Sequence, residues 1–395
     1  MNSLYRVTGC YSGAMDPALN PYTPGSGRKP PSLQGRDHEI EAFNLLVARA
    51  KSRKYGRGMV LHGLRGVGKT ALLTHLRGHA EHQGWYTVAM EAQSTSAGAR
   101  TNHRQLASSL RQGLRRYSRK HAFKHGADKI LSLIEGSSLS VAGVSMAAPS
   151  HASEDVAFDI EEIIESIGET VRNTGTALAI FVDEMQDLDQ DLMSALVVAQ
   201  HRANQEDWPF YVIGAGLPSL PSVLAEARSY AERLFLYRTI GPLDHAQACH
   251  ALADPSESMG GSYSPDALEM IVKATEGYPY FLQEFGSAMW DVAPRSPFTR
   301  LDAEAAIDIG TEQLDHGFFP SRWDRATPAE RKYLRAIADT REPAPRTATL
   351  SITQNAAGPH RASLIDKGII YAPERGRISF TVPGMAAFIA RQHED

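Results

Sequence analysis

Apolar positions along the chain follow two periods. From residue 59 to residue 238, short unbroken apolar runs alternate with segments whose apolar residues recur every three or four positions. The runs are Met59-Val60-Leu61, Trp85 to Met90, Ala177 to Val182, and Phe210 to Ile213. A last short strand reads from Arg233 to Arg238. Between them, Ile40, Phe43, Leu46, Val47 and Ala50 mark a helix with Asp37 as its N-cap. Ala71 to Leu76 starts a helix that runs to about Gln83, and Leu106, Leu110 and Leu114 stripe one over 103–121. Val156, Ile160, Ile163, Ile164, Ile167 and Val171 stripe another over 154–174, and Leu192–Gln205 is helical. Six apolar residues in a row at 177–182 leave no face for water, the pattern of a strand buried on both sides. The alternation predicts an α/β fold with a parallel sheet covered on both faces.

From Asp244 onward the strand pattern stops. Helices are expected at 244–253, 264–275, 279–291 and 302–315, with Pro279 in the first turn of the third. Phe318-Phe319-Pro320 reads as a boundary. Thr327-Pro328-Ala329-Glu330 then has the form of a capping box with proline at the first helical position. Two short helices follow, at Thr347–Ile352 and from Gly358 to Lys367, where Gly368 stops the second. Ile369-Ile370-Tyr371 and Ile378 to Val382 pair across a turn at Glu374-Arg375-Gly376. Three helices and a hairpin predict a winged helix-turn-helix. Residues 1–34, rich in Pro, Gly, Ser and Tyr, read either as an extended arm pinned by Tyr5, Tyr11 and Tyr22 or as plain disorder. Residues 136–153 read as a hairpin turning near Ala142-Gly143 or as a floppy insert. The expected organisation is an arm over 1–34, a core over 35–243, a helical lid over 244–317 and the winged helix over 318–395.

Composition changes this picture little. A chain of 395 residues has room for two or three domains. The net charge of −4 gives no bulk affinity for nucleic acid, so any such contact needs a local patch. Residues 320–395 supply one, with 12 Lys/Arg against 8 Asp/Glu. His360, Arg361 and Lys367 on the expected recognition helix, with Arg375 and Arg377 at the hairpin tip, are candidate contacts to double-stranded DNA. The same winged helix could equally serve packing or a protein partner. Cys10 and Cys249 stand far apart in no metal spacing, which excludes a disulfide framework and fits a reducing cytoplasm. No run of about 18 apolar residues exists to cross a membrane, and no signal pattern opens the chain. His79 and His82 read as solvated rather than as metal ligands.

The chemistry concentrates in two places. Gly63-Leu64-Arg65-Gly66-Val67-Gly68-Lys69-Thr70 fits G-x-x-x-x-G-K-[ST], between an apolar strand and a helix. The glycines let successive backbone N–H groups converge on one anion, and the helix that starts near Lys69 turns its positive end to it. Lys69 is expected to reach the β- and γ-phosphates of ATP, and Thr70 to hold Mg²⁺, with Ala71 continuing the cradle. The buried strand at 177–182 runs into Asp183-Glu184. Asp183 is the second candidate for the metal, and Glu184 is the candidate to polarise the attacking water. Upstream, the Gly35-Arg36 turn either lines the adenine or only begins a helix.

The phosphate loop, the Phe-Val-Asp-Glu strand, the lid with Gly277-Tyr278-Pro279 and the C-terminal winged helix together resemble the origin-recognition-like AAA+ ATPases and the related STAND ATPases. The resemblance spans roughly residues 32–392. It implies a P-loop NTPase core of the ASCE type and an ATPase. It also implies that Gly35-Arg36 and Pro279 touch the base, and that Arg233 either reaches a neighbouring subunit's γ-phosphate or is a surface charge. Two features depart from the family pattern. The strand at 210–216 ends in Gly214-Ala215-Gly216 instead of a polar phosphate sensor, and Tyr280 stands where a lid arginine is expected. Both favour slow hydrolysis, or a nucleotide-controlled switch, over a motor. They leave open a DNA-associated regulatory ATPase, a nucleotide-held switch with protein partners, and a helper ATPase of transposition or phage defence.

Overall fold

The computed structural model describes residues 15–25, 30–94, 98–121, 125–137, 152–172, 175–340, 342, 344–347, 350 and 354–392. Most of the expected hairpin at 136–153, Tyr5, Tyr11 and most of the expected helix at 347–352 lie outside them. The chain divides into two compact units. One holds Arg36–Gly241, and the other holds the N-terminal stretch to Gly35 together with Pro242 onward.

In the first unit, five strands form a parallel sheet. They are β1 (Gly58–Gly63), β2 (Tyr86–Glu91), β3 (Leu178–Asp183), β4 (Phe210–Gly216) and β5 (Phe235–Ile240), in the order β2-β3-β4-β1-β5. Its helices are α1 (Asp37–Lys51), α2 (Lys69–His82), α3 (Gly98–His121), α4 (His125–Gly136), α5 (Ala152–Arg172), α6 (Gln190–Gln205), α7 (Leu220–Ala227) and α8 (Ala231–Leu234). All seven residues of β4 are buried, so both faces of the sheet are covered, as the unbroken apolar run requires. Val60, Val88, Ile180 and Val212 face a core completed by Leu106 and Leu110 of α3, Ile160 and Ile163 of α5 and Leu196 of α6. On alternate strand positions, Phe181 meets Phe43 of α1, and Trp85 stacks on Tyr211 at 5.3 Å.

Two local expectations change. Arg36, not Asp37, occupies the N-cap position of α1 without a side-chain cap, and Asp37 is the first helical residue. Arg233 and Leu234 are helical, because strand pairing begins only at Phe235, opposite Gly58 of β1.

In the second unit, α9 (His245–Ser258), α10 (Pro265–Thr275), α11 (Pro279–Val292) and α12 (Arg300–Gln313) form a helical bundle. The N-terminal stretch is stapled to it. Tyr22 is buried, and its hydroxyl donates to the Leu252 carbonyl at 2.5 Å. Gly286 makes room for the ring, since a Cβ there would lie 2.6 Å from it. Asn20 Nδ2 donates to Asp291 Oδ1, and Trp290 Nε1 donates to the Asp16 carbonyl. Beyond α13 (Pro320–Trp323) come α14 (Pro328–Asp339), α15 (Gln354–Asp366), the two-stranded hairpin β6 (Ile370–Tyr371) and β7 (Ser379–Phe380), and α16 (Met385–Arg391). The capping box at Thr327 and Glu330 forms as expected. Among the described residues, no helix is long and apolar enough to cross a membrane.

Candidate functional site

The site is built where the first unit's strands end. β1 stops at Gly63, which sits so close to β5 that a Cβ would lie 2.1 Å from the Ile240 carbonyl oxygen. The chain then turns through Gly66 and Gly68, and Gly68 holds the left-handed conformation (φ 91°) at the N-cap of α2. No side chain but glycine takes that conformation readily. The turn leaves the first N–H groups of α2 without helical partners, an anion-binding end.

Lys69 is only 6% exposed, and its Nζ donates to the carbonyls of Gly63 at 3.0 Å and Leu64 at 2.8 Å. Burial pulls the ammonium's pKa down to about 8, against the opposing pull of Glu184 and Asp183. Thr70, next along α2, is exposed, and Asp183 ends β3. Burial pushes the Asp183 carboxyl up, and the Thr70 hydroxyl and the Glu184 N–H offset part of that. The Glu184 N–H donates to Asp183 Oδ1 at 3.0 Å. A hydroxyl and a carboxylate side by side are hard oxygen donors of the kind Mg²⁺ prefers, so the residues present fit that ion.

The structure therefore brings Lys69, Thr70, Asp183 and Glu184 together. Arg36 joins them in a way the sequence did not suggest. Its buried guanidinium donates through Nη2 to Val67 O of the loop at 2.9 Å and to Gly241 O at 2.7 Å. It braces the phosphate loop against the end of β5. Burial lowers its pKa, with Glu39 opposing.

Gly35 and Pro279 fall in the other unit, where their surroundings converge. A Cβ on Gly35 would press on Gln247 and Leu243, and one on Gly277 would meet Leu243 O at 2.2 Å. The Gly277-Tyr278-Pro279 turn is thus packed beside Gly35, and the Tyr278 hydroxyl donates to the Thr381 carbonyl at 3.2 Å. Arg233 stands apart on α8, with its side chain 81% exposed and only a 4.0 Å approach to Glu232.

Of the candidate nucleic-acid contacts, Lys367 and Arg377 are engaged within the fold. Lys367 Nζ pairs with Glu330 Oε2 at 2.6 Å, and Arg377 Nη1 donates to the Ala344 carbonyl at 2.8 Å. Arg361 and Arg375 share an open cleft with Thr347 and Glu374, and His360 is half-buried on α15.

Sequence reasoning missed Gln186, whose side-chain amide joins Glu184 to the end of β4. Its signal was indirect: glycines at 214 and 216 inside a buried strand mark a close approach.

Residues 32–213 match the AAA ATPase domain family. A domain family of unknown function matches residues 316–389. In fold the chain is similar to the Walker-type ATPase PABY2304 of Pyrococcus abyssi. The likeness holds at 15% identity and a TM-score of 0.61, over 94% of this chain and 99% of that one. The Orc1 protein of Aeropyrum pernix in complex with DNA is similar at 16% identity and a TM-score of 0.46, over 92% and 94% of the two chains. The RuvB Holliday junction branch migration motor of Thermotoga maritima is similar at 15% identity and a TM-score of 0.46, over 93% and 99%. No curated protein matches the sequence.

Proposed function

We propose that the protein is a regulatory ATPase that binds ATP with Mg²⁺, hydrolyses it slowly and associates with DNA. The observation that carries the reading is the buried Lys69 at the end of the glycine loop, held against Gly63 O and Leu64 O, with Glu184 and Asp183 near enough to act on its charge. The N–H groups from Leu64 to Ala71 cradle the phosphates, with Arg65 and Val67 at the crown of the loop. Lys69 exchanges two backbone carbonyls for phosphate oxygens. Thr70 and Asp183 hold Mg²⁺, which when bound offsets the charge on the phosphates. Glu184 takes the proton of the attacking water. Arg233, exposed on α8, would serve the nucleotide of a neighbouring copy in a homo-oligomer.

We assign the C-terminal segment as a winged helix, and Arg361, Arg375 and His360 as its DNA contacts. The engagement of Lys367 and Arg377 within the fold favours a second reading, in which the segment meets a protein partner and the nucleotide acts as a switch. The glycines that end β4, and Tyr280 stacked on Phe318, support that reading's low turnover.

Two measurements test these statements. Glu184→Gln should keep ATP binding and slow hydrolysis by about a hundredfold or more. Hydrolysis at the wild-type rate removes Glu184 as the base. A gel shift with duplex DNA should weaken steeply as salt rises. No shift at low salt, with or without ATP, leaves the protein-partner reading.

A further inference from the structure

We propose that Gln186 is the positioning residue for Glu184, and that it stands in for the polar side chain missing from the end of β4. The inference rests on the reading of Glu184 as the base. A phosphate-sensing strand is expected to end in a side chain that can donate, yet β4 ends in Gly214-Ala215-Gly216. The reason is steric. A Cβ on Gly214 would lie 2.3 Å from Met185 Sδ, and a Cβ on Gly216 would lie 2.3 Å from Gln186 Oε1. The short turn Met185–Asp187 after β3 is seated against β4, and the two glycines are its seat.

Within that turn the Gln186 amide spans a gap. Its Oε1 accepts from the Leu217 N–H at 2.9 Å, just past the end of β4. Its Nε2 donates to Glu184 Oε2 at 2.7 Å. A backbone N–H only donates and a carboxylate only accepts, so a single orientation of the amide satisfies both partners. The donor is therefore always presented to Glu184. Glu184 itself is in the left-handed region, at φ 47° and ψ 41°, uncommon for a residue with a side chain. Its carbonyl accepts from the Asp187 N–H at 2.8 Å. Backbone and carboxylate are thus both fixed by the turn. An ionised carboxylate has about four acceptor sites, so one donor at Oε2 sets its direction and leaves capacity for a water. Because the far anchor is the backbone of residue 217, the position of Glu184 follows the turn that joins β4 to α7.

The test compares Gln186→Ala, Gln186→Asn, Glu184→Gln and the Gln186→Ala/Glu184→Gln pair in the full chain. Single-turnover hydrolysis of ATP should fall about ten- to a hundredfold in Gln186→Ala, while the Kd for ATP stays within about twofold. Gln186→Asn, one methylene short of spanning both partners, should not restore the rate. In the Glu184→Gln background, Gln186→Ala should change the rate by less than about twofold, since the pair acts as a unit. A second readout needs no nucleotide. The Gln186 side-chain amide ¹H–¹⁵N signals, identified by their loss in Gln186→Ala, should shift in Glu184→Gln. Equal losses in both backgrounds, or amide signals indifferent to Glu184, overturn the proposal. A wild-type rate in Glu184→Gln is a different result: it removes the base and, with it, anything Gln186 could position.

Discussion

Replacing Glu330 by glutamine tests how the C-terminal segment is held together. The carboxyl sits at the start of α14 and reaches across to α15. It accepts from the Thr327 N–H at 2.7 Å, from Ser363 Oγ at 2.6 Å and from Lys367 Nζ at 2.6 Å. Burial pushes its pKa up, but the Lys367 ammonium, the Ser363 hydroxyl and Thr327 outweigh it and hold the carboxyl at about 2. Set against an ordinary 4.5, that depression corresponds to about 3 kcal/mol of stability at neutral pH. The sign follows from the direction. The folded state holds the proton more weakly than the unfolded state, so the contribution is complete above pH 4.5 and is lost as pH falls to about 2. Glu330→Gln keeps the shape and removes the charge. Hydrogen exchange of the 328–339 amides at pH 7, corrected for intrinsic rates, should speed up by about 30- to 150-fold, the equivalent of about 2–3 kcal/mol. The wild type should lose a similar protection between pH 5 and pH 2, and the variant should lose little in that window. Equal protection of the two proteins at pH 7, or equal losses on acidification, would refute the reasoning. Failure would also release Lys367 from its structural role and return it to the candidates for DNA contact.

Two other perturbations follow from the site. Lys69→Met removes an ammonium whose burial is unfavourable, so it should abolish ATP binding while raising the melting temperature of the nucleotide-free protein by a few degrees, roughly 1–2 kcal/mol. An unchanged or lower melting temperature contradicts the assigned burial cost. Arg36→Met strips the bonds to Val67 O and Gly241 O, and should cost about 2–4 kcal/mol of stability and weaken ATP binding. Urea denaturation and nucleotide titration of the same preparation check both parts. Wild-type affinity in a folded Arg36→Met protein would show that the brace does not shape the loop.

Much of this was legible in the sequence because the strongest signals are local. An apolar strand, a glycine loop and Lys69-Thr70 occupy consecutive positions, and Val182-Asp183-Glu184 is a strand and its end in one run. The helices of the second unit were legible from their periodicity and from Pro279, but the fourth, read from 302, begins at Arg300 behind the Thr299 cap. What stayed hidden depends on where long side chains go. Nothing in a Gly-Arg pair says that Arg36 turns back to Val67 O, 31 residues later. Lys367 looks like any basic residue of a recognition helix until Glu330, 37 positions earlier, is found against it. The glycines of β4 misled in the other direction. Judged by side-chain chemistry they are an omission, but judged by space they admit Met185 and Gln186. Arg233 was read as strand because a four-residue helix has no period to detect.

The most direct test of the account is a calorimetric titration of the nucleotide-free protein with ATP, in the presence of Mg²⁺ and in the presence of a chelator. One ATP should bind per chain with Mg²⁺. Binding should be weaker by about tenfold or more with chelator or in Thr70→Ala, and absent in Lys69→Ala. No binding by the wild type, or binding that survives Lys69→Ala, would contradict the claim that this loop holds the triphosphate.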